Sequence, residues 1–246
     1  MNSLEGKRAF ITGASRGIGA AIARKLAADG ADVTIGYGRS MSAAQALADE
    51  IKASGRRAYV VQMDARVPAS VSQAVNHAAK SLGGLDILVN NAGIIVPGQI
   101  DENSEQDIDD VLFVNLRAAI LAARAALAYL PEGGRIISIG SNLAERVTLP
   151  GLTVYSASKA GLIGFTKGLA RDLGPKGITV NLVHPGSTDT DMNPPDGPTA
   201  EIQRSRMAIP RYGDPADVAA LVAFVAGPQG KSITGAGLSI DGGANA

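Results

Sequence analysis

Apolar residues along this chain fall into two alternating patterns. Short runs rich in β-branched and aromatic residues predict β-strands, which in chain order are RAFIT, DVTIGY, RAYVVQM, DILVN, RIISIG, ITVNLV and GLSI. Longer runs with helical spacing of apolar residues predict α-helices over residues 18–30, 41–55, 69–83, 105–130 and 155–173. Gly30, Gly55 and Gly83 end three of these runs, at the position where glycine commonly terminates a helix.

This alternation of strands and helices predicts the fold class. Strands joined by helices of this length form right-handed βαβ units, which build a parallel sheet with helices on both faces. We therefore expect an α/β protein with a single doubly wound parallel β-sheet. No linker-like change in composition divides residues 1–246, so one domain is expected. The long irregular stretch 187–215, rich in Pro, Asp and Thr, is interpreted as a substrate loop or lid.

The overall composition argues against several classes of partner. The 23 basic and 23 acidic residues balance, so no global charge would attract nucleic acid or an acidic membrane. The most apolar helix candidate, residues 116–130, contains Arg117 and Arg124 and is not expected to span a membrane. Because the chain has no cysteine and no visible signal peptide, we expect a cytoplasmic protein without disulfides, thiolate metal sites or a bound metal.

A glycine-rich stretch, TGASRGIGAAIA, follows the first predicted strand and opens the first predicted helix. Gly13, Gly17 and Gly19 stand where the chain must turn sharply and a helix N-terminus must face a ligand. The unpaired N–H groups and the positive dipole end at such a position bind a pyrophosphate well. A glycine-rich turn without a ligand is the alternative. The place of the stretch at the first strand–helix junction favours a dinucleotide site, as in a Rossmann fold.

The spacing of this loop, Thr-Gly-x-x-x-Gly-x-Gly from Thr12 to Gly19, resembles that of the short-chain dehydrogenase/reductase family. Further matches follow in the family's order over essentially the whole chain: NNAG at 90–93, Asn115, Ser141, Tyr155-x-x-x-Lys159, HPG at 184–186 and the closing ITGAGLSIDGG. Within the family the chain looks similar to compact members such as the 3-oxoacyl-[acyl-carrier-protein] reductases. The segment from Ser141 to Tyr155 is one residue longer than the commonest spacing, which a loop bulge can absorb.

Four of the matching residues suggest acid–base chemistry. Tyr155 and Lys159 are four residues apart and share a helix face, so a nearby ammonium should lower the pKa of the phenol toward neutrality. Ser141 would donate a hydrogen bond to the substrate oxygen. The resemblance implies in addition that Lys159 holds the nicotinamide ribose and that Asn115 anchors a water molecule linking Lys159 to solvent. Taken singly, a surface Tyr–Lys pair and a turn serine are plausible alternatives, but with all four positions filled catalysis is favoured.

The resemblance also implies a set of cofactor-binding residues. They are Gly13, Ser15, Arg16, Gly17, Ile18, Gly19, Tyr37, Arg39, Asp64, Ala65, Asn91, Ala92, Gly93, Tyr155, Lys159, Pro185, Gly186, Thr188 and Thr190. Asp64 matches the position that meets the adenine, and Thr188 and Thr190 match residues that hold the carboxamide. A turn cap and ST-turns are the respective alternatives. Asn90 and His184 are interpreted as structural, the first tying a strand to its neighbours and the second filling the core.

The end of the second predicted strand bears on the choice of cofactor. NAD-preferring proteins of this fold place Asp or Glu there, where the carboxylate accepts from the ribose 2′-hydroxyl and repels a 2′-phosphate. Here the strand ends TIGYGRS, so the position near Tyr37 is not acidic. Arg16 and Arg39 are placed to grip a phosphate, which predicts a preference for NADPH. Solvated surface arginines are the alternative.

These observations predict an NADP-dependent oxidoreductase that reduces a ketone or 3-oxo group to a secondary alcohol. The alternative is a nucleotide- or ligand-binding regulatory protein that uses the same fold with little turnover. Sugar-nucleotide epimerases and dehydratases are disfavoured because they space their glycines differently. The substrate pocket is expected from residues 142–152, Ile94, Ile95 and the 187–215 loop. An acyl thioester, a cyclic ketone and a hydroxylated aromatic all remain open.

A homotetramer is expected. The predicted helices 105–130 and 155–173 carry small and apolar residues around much of their circumference, more than one sheet face can cover. The family resemblance places subunit contacts on those helices and on the C-terminal strand.

Overall fold

The computed structural model describes residues 3–246, and its strands form one seven-stranded sheet with parallel pairing throughout. The strands are β1 (Arg8–Ile11), β2 (Asp32–Tyr37), β3 (Ala58–Gln62), β4 (Ile87–Asn90), β5 (Arg135–Ile139), β6 (Thr179–Pro185) and β7 (Gly237–Ile240). Their order is β3-β2-β1-β4-β5-β6-β7, so the winding reverses between β1 and β4. In a doubly wound sheet the carboxyl ends beside such a reversal form the ligand crevice.

The helices cover both faces of this sheet. They are α1 (Gly17–Ala28), α2 (Met41–Ala53), α3 (Pro68–Leu82), α4 (Glu105–Leu112), α5 (Ala118–Ala126), α6 (Thr153–Leu173), α7 (Ala200–Arg204) and α8 (Pro215–Ala226). The predicted fold class is confirmed, and all of the predicted strands are present. Gly30, Gly55 and Gly83 have positive φ angles just after α1, α2 and α3, as their positions predicted. Within residues 3–246 no helix is both long and apolar enough to cross a membrane.

Two apolar clusters hold the helices to the sheet. On one face, Ile22 and Leu26 of α1 and Val222 of α8 are fully buried against the strands. On the other, Val75 of α3 packs with Ala122 of α5. Alanine recurs along these helices, and its small side chain lets helix and sheet approach closely. Each fully buried aliphatic side chain contributes about 1.5–3 kcal/mol, so the strand ends are presented by a firmly packed scaffold.

Helix α8 was missed by the sequence-based prediction. It lies between β6 and β7, directly after the stretch interpreted as a loop. Asp214 is its N-cap and accepts a hydrogen bond from Ala216 N at 2.7 Å, and Pro215 occupies the first helical position. An Asp-Pro pair before an apolar run is a recognisable helix start. The signal was present, but the uniformly apolar run that follows lacks the polar face expected of a surface helix.

The single helix predicted over 105–130 is interrupted. Residues Phe113–Arg117 form a π-helical turn between α4 and α5. A π-turn inserts an extra residue and reorients the side chains on it, and such turns are frequent at functional sites. Asn115 lies in the middle of this turn and is 2% exposed. Periodicity alone could not reveal the interruption because the apolar pattern continues through it.

The 187–215 stretch is less irregular than its composition suggested. It contains the short helix α7, and Gln203 on that helix binds side chains from the preceding turns. Its Oε1 accepts from Ser187 Oγ at 2.6 Å and from Asn193 Nδ2 at 3.0 Å, and its Nε2 donates to Thr199 Oγ1 at 2.9 Å. One amide therefore ties the first half of the stretch to α7.

Candidate active site

The predicted catalytic and cofactor residues follow strand ends at the carboxyl edge of the sheet. The glycine loop follows β1, residues 90–93 end β4, Ser141 follows β5, and Pro185 ends β6. Tyr155 and Lys159 lie in the first turns of α6, and Asn115 lies in the π-turn. Parallel pairing brings these strand ends to the same edge, on both sides of the winding reversal.

The glycine loop has a backbone that only glycine adopts readily. Gly13 and Gly17 have φ angles of +62° and +56°, in the left-handed region. At Gly19 a Cβ would lie 2.4 Å from Asn91 Nδ2, so no side chain fits there. The first turn of α1 carries no acidic residue, and the N-cap Arg16 makes no side-chain capping hydrogen bond. The N–H groups of this helix end are therefore left for an anion.

Thr12 and Asn91 hold this loop against the end of β4. The buried Thr12 hydroxyl accepts from the backbone N–H groups of Asn91 and Ala92, each at 3.0 Å. The Asn91 side-chain amide donates to the carbonyls of Thr12 at 3.0 Å and Gly13 at 2.9 Å. The side-chain amide of Asn91, a predicted cofactor residue, thus fixes the backbone of the glycine loop.

Lys159 is a buried amine. It is 4% exposed, and its Nζ donates to the carbonyl of Ile139 at 2.8 Å. Burial disfavours the charged form and lowers the pKa of Lys159 to about 8. The surface-pair alternative for Lys159 does not describe this environment, because a surface lysine is not removed from water in this way.

Tyr155 corrects one prediction. Burial raises the pKa of the Tyr155 phenol, and a side-chain hydrogen bond with Ser141 opposes that shift without reversing it. The predicted lowering by Lys159 is wrong for this structure. Lys159 Nζ lies 5.8 Å from the centre of the Tyr155 ring, and burial disfavours the charged form of this amine. Desolvation is the largest effect on the pKa of the Tyr155 phenol, so Tyr155 is held protonated at neutral pH.

Asn115 links the π-turn to residue 94 and to α6. Its Oδ1 accepts from Ile94 N at 2.8 Å, and its Nδ2 donates to Ile94 O at 2.9 Å and to Ser158 Oγ at 3.0 Å. Ser158 Oγ in turn donates to the carbonyl of Tyr155 at 2.6 Å. A Cβ on Gly93 would lie 3.4 Å from Asn115 Oδ1 and 3.5 Å from Lys159 Nζ, so both polar atoms face Gly93.

Ser141 is positioned by its own turn and by His184. Its Oγ accepts from Leu143 N at 3.1 Å, and its carbonyl lies 2.8 Å from His184 Nδ1. The His184 ring is 1% exposed and fits between Gly140 and Gly237, where a Cβ would approach to 2.8 Å and 3.0 Å. The interpretation of His184 as a core residue agrees with this packing.

The residues predicted to select the cofactor differ in exposure. Arg39 is exposed just past β2, and Arg16 is exposed within the glycine loop. Tyr37 is 7% exposed and packs in the apolar core. Arg16 Nη1 lies 3.4 Å from Asp191 Oδ2, a contact between the glycine loop and the 187–215 stretch that the sequence did not signal.

Three further predicted cofactor residues, Asp64, Thr188 and Thr190, make hydrogen bonds to nearby backbone atoms. Asp64 caps its own turn, because its Oδ1 accepts from Arg66 N at 3.0 Å. Thr188 donates to the carbonyl of Gly186 at 3.1 Å, and Thr190 Oγ1 accepts from Asn193 N at 3.3 Å. Both threonine hydroxyls therefore make local backbone hydrogen bonds, and only that of Thr190 accepts from an N–H further along the chain, as the ST-turn alternative expects. Thr190 also lies next to the glycine loop, because a Cβ atom built on Gly17 would be 3.4 Å from the methyl carbon of Thr190.

The other members of the predicted set are backbone or packing positions. Ala92 packs on one apolar cluster with Ala65, and Ile18 packs on the other. A Cβ on Gly186 would lie 2.6 Å from Asp241 Cα, which explains the glycine after Pro185. Ser15 is partly exposed in the glycine loop. Asn90 donates to Ser138 Oγ at 3.4 Å and so ties β4 to β5, in agreement with its structural interpretation.

Known proteins share this arrangement. A family model described as "short chain dehydrogenase" matches residues 7–201. The chain belongs to the short-chain dehydrogenase/reductase family. Members of this family are NAD(P)-dependent oxidoreductases, and the chain is an enzyme of this class.

Three relatives illustrate the range of functions within this family. A short chain dehydrogenase from Burkholderia cenocepacia J2315, crystallised in complex with NADP, is 63% identical with a TM-score of 0.98, over 99% of this chain and 100% of that one. The cyclic-di-GMP-binding biofilm dispersal mediator protein of Escherichia coli is 44% identical over 98% of both chains. Versicolorin reductase stcU of Emericella nidulans is 41% identical over 98% of this chain and 96% of its own length.

Proposed function

We propose that this enzyme reduces a ketone or 3-oxo group to a secondary alcohol with NADPH. The observation that carries the proposal is the pairing of a protonated Tyr155 with Ser141, next to the buried amine of Lys159. This group lies at the carboxyl edge that also holds the glycine loop. The complex of the Burkholderia relative with NADP supports the choice of cofactor.

The residues of the crevice fit a nicotinamide dinucleotide. The uncapped first turn of α1 and the two left-handed glycines would hold the pyrophosphate. Thr190 lies next to Gly17 of that loop. The polar atoms of Lys159 and Asn115 both lie next to Gly93, which follows β4. When bound there, the nicotinamide supplies the hydride.

The side chains supply the proton and stabilise charge. Tyr155, protonated at neutral pH, donates its proton to the ketone oxygen as that oxygen gains negative charge. Ser141 holds the same oxygen by a hydrogen bond, which favours the transition state over the ground state. Lys159, with a pKa of about 8, still carries a proton at pH 7, and its positive charge stabilises the phenolate left on Tyr155.

A substrate panel tests the proposed reaction. The purified enzyme would be assayed with NADPH and three substrate types: an acyl thioester, a cyclic ketone and a hydroxylated aromatic ketone. We expect at least one type to be reduced, with one alcohol formed for each NADPH oxidised. Tight NADPH binding with no reduction of any type would contradict the proposal.

The preference for NADPH gives a further prediction. Arg16→Ala and Arg39→Ala are each expected to lower the ratio of kcat/KM with NADPH to that with NADH by about tenfold, because each removes a charge-assisted hydrogen bond to the 2′-phosphate. Gly38→Asp should shift the preference toward NADH. Gly38 suits this test because it is exposed with no heavy atom within 4 Å of a Cβ, whereas an acid at the buried Tyr37 would disturb the core.

Steady-state kinetics with both cofactors measures this ratio. The matched control is Arg24→Ala, an exposed arginine on α1 that pairs with Glu50. It should leave the ratio unchanged. A wild-type enzyme that already favours NADH would contradict the assignment of the β2 end.

The E. coli relative favours a second candidate function, a nucleotide-binding regulatory role with little turnover. Binding of cyclic-di-GMP by isothermal titration, with and without saturating NADP⁺, distinguishes the two. Reduction of a ketone from the substrate panel, without binding of cyclic-di-GMP, supports the reductase function and not the regulatory one. Binding without any turnover supports the regulatory protein.

We further propose that residues 1–246 form one domain whose substrate loop is 187–215. The contacts of Thr190 and Asp191 with the glycine loop support this assignment, because they bring the stretch over the cofactor crevice. Substrates that enter beneath it would meet Ser141 and Tyr155.

A homotetramer is the proposed assembly. Ile120 on α5 and Phe224 on α8 are 39% and 47% exposed, and β7 is an edge strand without a second neighbour in residues 3–246. Burying an apolar helix face and covering an open edge both favour association. Light scattering at micromolar concentration should give a tetramer mass, and Phe224→Glu or Ile120→Glu should lower it. A monomer mass for the wild type would contradict the proposal.

A further inference from the structure

A cavity of about 400 Å³ opens beside the proposed active site. It is lined by Arg146, Val147, Thr148, Arg206 and Ala244. These residues come from three segments: the loop after Ser141, the substrate loop after α7, and the tail after β7. The proposed function assigns no role to the two arginines.

Hydrogen bonds hold the three walls together around the guanidinium groups. Arg206 Nη1 donates to the carbonyl of Thr148 at 2.5 Å. Arg146 Nη1 lies 3.4 Å from the backbone oxygens of Ala244 and Ala246. A guanidinium has five N–H donors, so most donors of each arginine remain available to a ligand.

The segment that contributes Arg206 to this cavity is positively charged, although the whole chain is balanced. Residues 201–211 contain three arginines and a single acidic residue, Glu201. Arg204 is engaged, because it pairs with Glu201 at 3.4 Å and lies over the Tyr212 ring at 5.3 Å. Among residues 3–246, neither Arg146 nor Arg206 forms an ion pair with an Asp or Glu side chain.

The cavity lies within reach of the reacting carbonyl. Arg146 N donates to the carbonyl of Asn142 at 3.2 Å, so Arg146 lies one turn beyond Asn142, the residue that follows Ser141. Even a fully extended chain of five residues spans no more than about 18 Å, and this segment is coiled. A substrate held by Ser141 at its ketone can therefore extend a charged end to the cavity.

We propose that Arg146 and Arg206 form an anion subsite that binds a phosphate or carboxylate at the far end of the substrate. Paired guanidinium groups suit both anions, since each offers a planar fork of donors. The natural substrate is then an anionic ketone. This inference rests on the proposed function, and it narrows the open substrate classes to those with a charged end.

The subsite is tested by comparing kcat/KM with NADPH for pairs of ketones that differ in an anionic group. Acetoacetyl-coenzyme A and acetoacetyl-N-acetylcysteamine share the reacting ketone and differ in the phosphates. A long-chain keto acid and its methyl ester differ in the carboxylate. For at least one pair, Arg146→Gln and Arg206→Gln should each lower kcat/KM for the anionic member about fivefold and leave the neutral member within about twofold.

Arg24→Gln is the control, because Arg24 is an exposed arginine on α1 away from the cavity, and it should change neither member. High salt should reduce the advantage of the anionic member in the wild type only. Equal losses on both members of each pair would overturn the subsite and leave the reductase intact.

A binding measurement keeps the two proposals separate. With NADP⁺ saturating the cofactor crevice, inorganic phosphate would be titrated calorimetrically into wild type and the Arg146→Gln, Arg206→Gln double variant. Phosphate binding that is at least about tenfold weaker in the double variant than in wild type supports the subsite, even if no ketone is reduced. Binding that both proteins share equally, or no binding to the wild type, contradicts it.

Discussion

Replacing Tyr155 with phenylalanine is expected to lower kcat/KM for ketone reduction by about 10²- to 10⁴-fold, the range typical of a positioned proton donor. The substitution removes one oxygen atom and keeps the ring that fills the crevice wall. Because burial holds this phenol protonated, the variant loses the proton itself and not a charge. NADPH binding should therefore remain close to wild type.

The measurement pairs steady-state kinetics with an NADPH titration on the same variant. Tyr129→Phe is the matched control, since Tyr129 is half-buried and its hydroxyl makes one solvent-exposed hydrogen bond, to Asn76 at 3.1 Å. It should keep full activity. A Tyr155→Phe enzyme that binds NADPH weakly yet still reduces ketones would rule out Tyr155 as the proton donor.

Lys159→Met is expected to abolish most activity while stabilising the folded protein at neutral pH. The pKa of Lys159 falls from 10.5 to about 8 on folding, which costs about 3 kcal/mol when the amine is charged. Methionine fills a similar volume without that cost but loses the hydrogen bond to the Ile139 carbonyl, worth about 1 kcal/mol. The free energy of unfolding at pH 7 should rise by about 2 kcal/mol.

The sign of the pH dependence follows from the lowered pKa. Between about pH 8 and 10.5 the unfolded chain binds a proton at Lys159 that the folded chain lacks, so wild-type stability rises with pH in that interval. The advantage of Lys159→Met should therefore shrink from pH 8 upward and vanish before pH 10.5, above which the wild type should be the more stable protein by about 1 kcal/mol, the value of its hydrogen bond to the Ile139 carbonyl.

Urea unfolding at pH 7 and pH 10, at fixed protein concentration, measures this difference. Lys167→Met, an exposed lysine on the same helix, should show no such pH dependence. A Lys159→Met variant with full activity, or with a stability difference that does not change with pH, would contradict the account of this amine.

The sequence predicted the sheet and grouped the candidate catalytic residues for two different reasons. Most strands carry a short run of β-branched or other apolar residues, so local pattern and tertiary structure agree there. Ser141, Tyr155 and Lys159 were identified by motif order, and the fold brings their segments to one edge because parallel strands end together. The π-turn at Asn115 and helix α8 were missed because apolar periodicity does not distinguish a π-turn from an α-helix or reveal a buried helix without a polar face.

The energetic details of the site depend on burial, which the sequence does not display. The interval between Tyr155 and Lys159 correctly placed both on one helix, but it could not show that burial raises the pKa of the phenol and lowers the pKa of the amine. Contacts between distant segments were equally hidden. The Arg16–Asp191 pair and the Arg206–Thr148 hydrogen bond join residues that are 175 and 58 positions apart.

The central claim, that this chain reduces a ketone with hydride from NADPH and a proton from Tyr155, is tested most directly by isotope transfer. NADPH carrying deuterium at both positions of nicotinamide C4 would be incubated with the best ketone from the substrate panel, and the product alcohol analysed by mass spectrometry and NMR. We predict deuterium on the carbon that carried the ketone oxygen, at one per alcohol, and no alcohol above background with Tyr155→Phe. An enzyme that binds NADPH stoichiometrically yet forms no deuterated alcohol would contradict the claim.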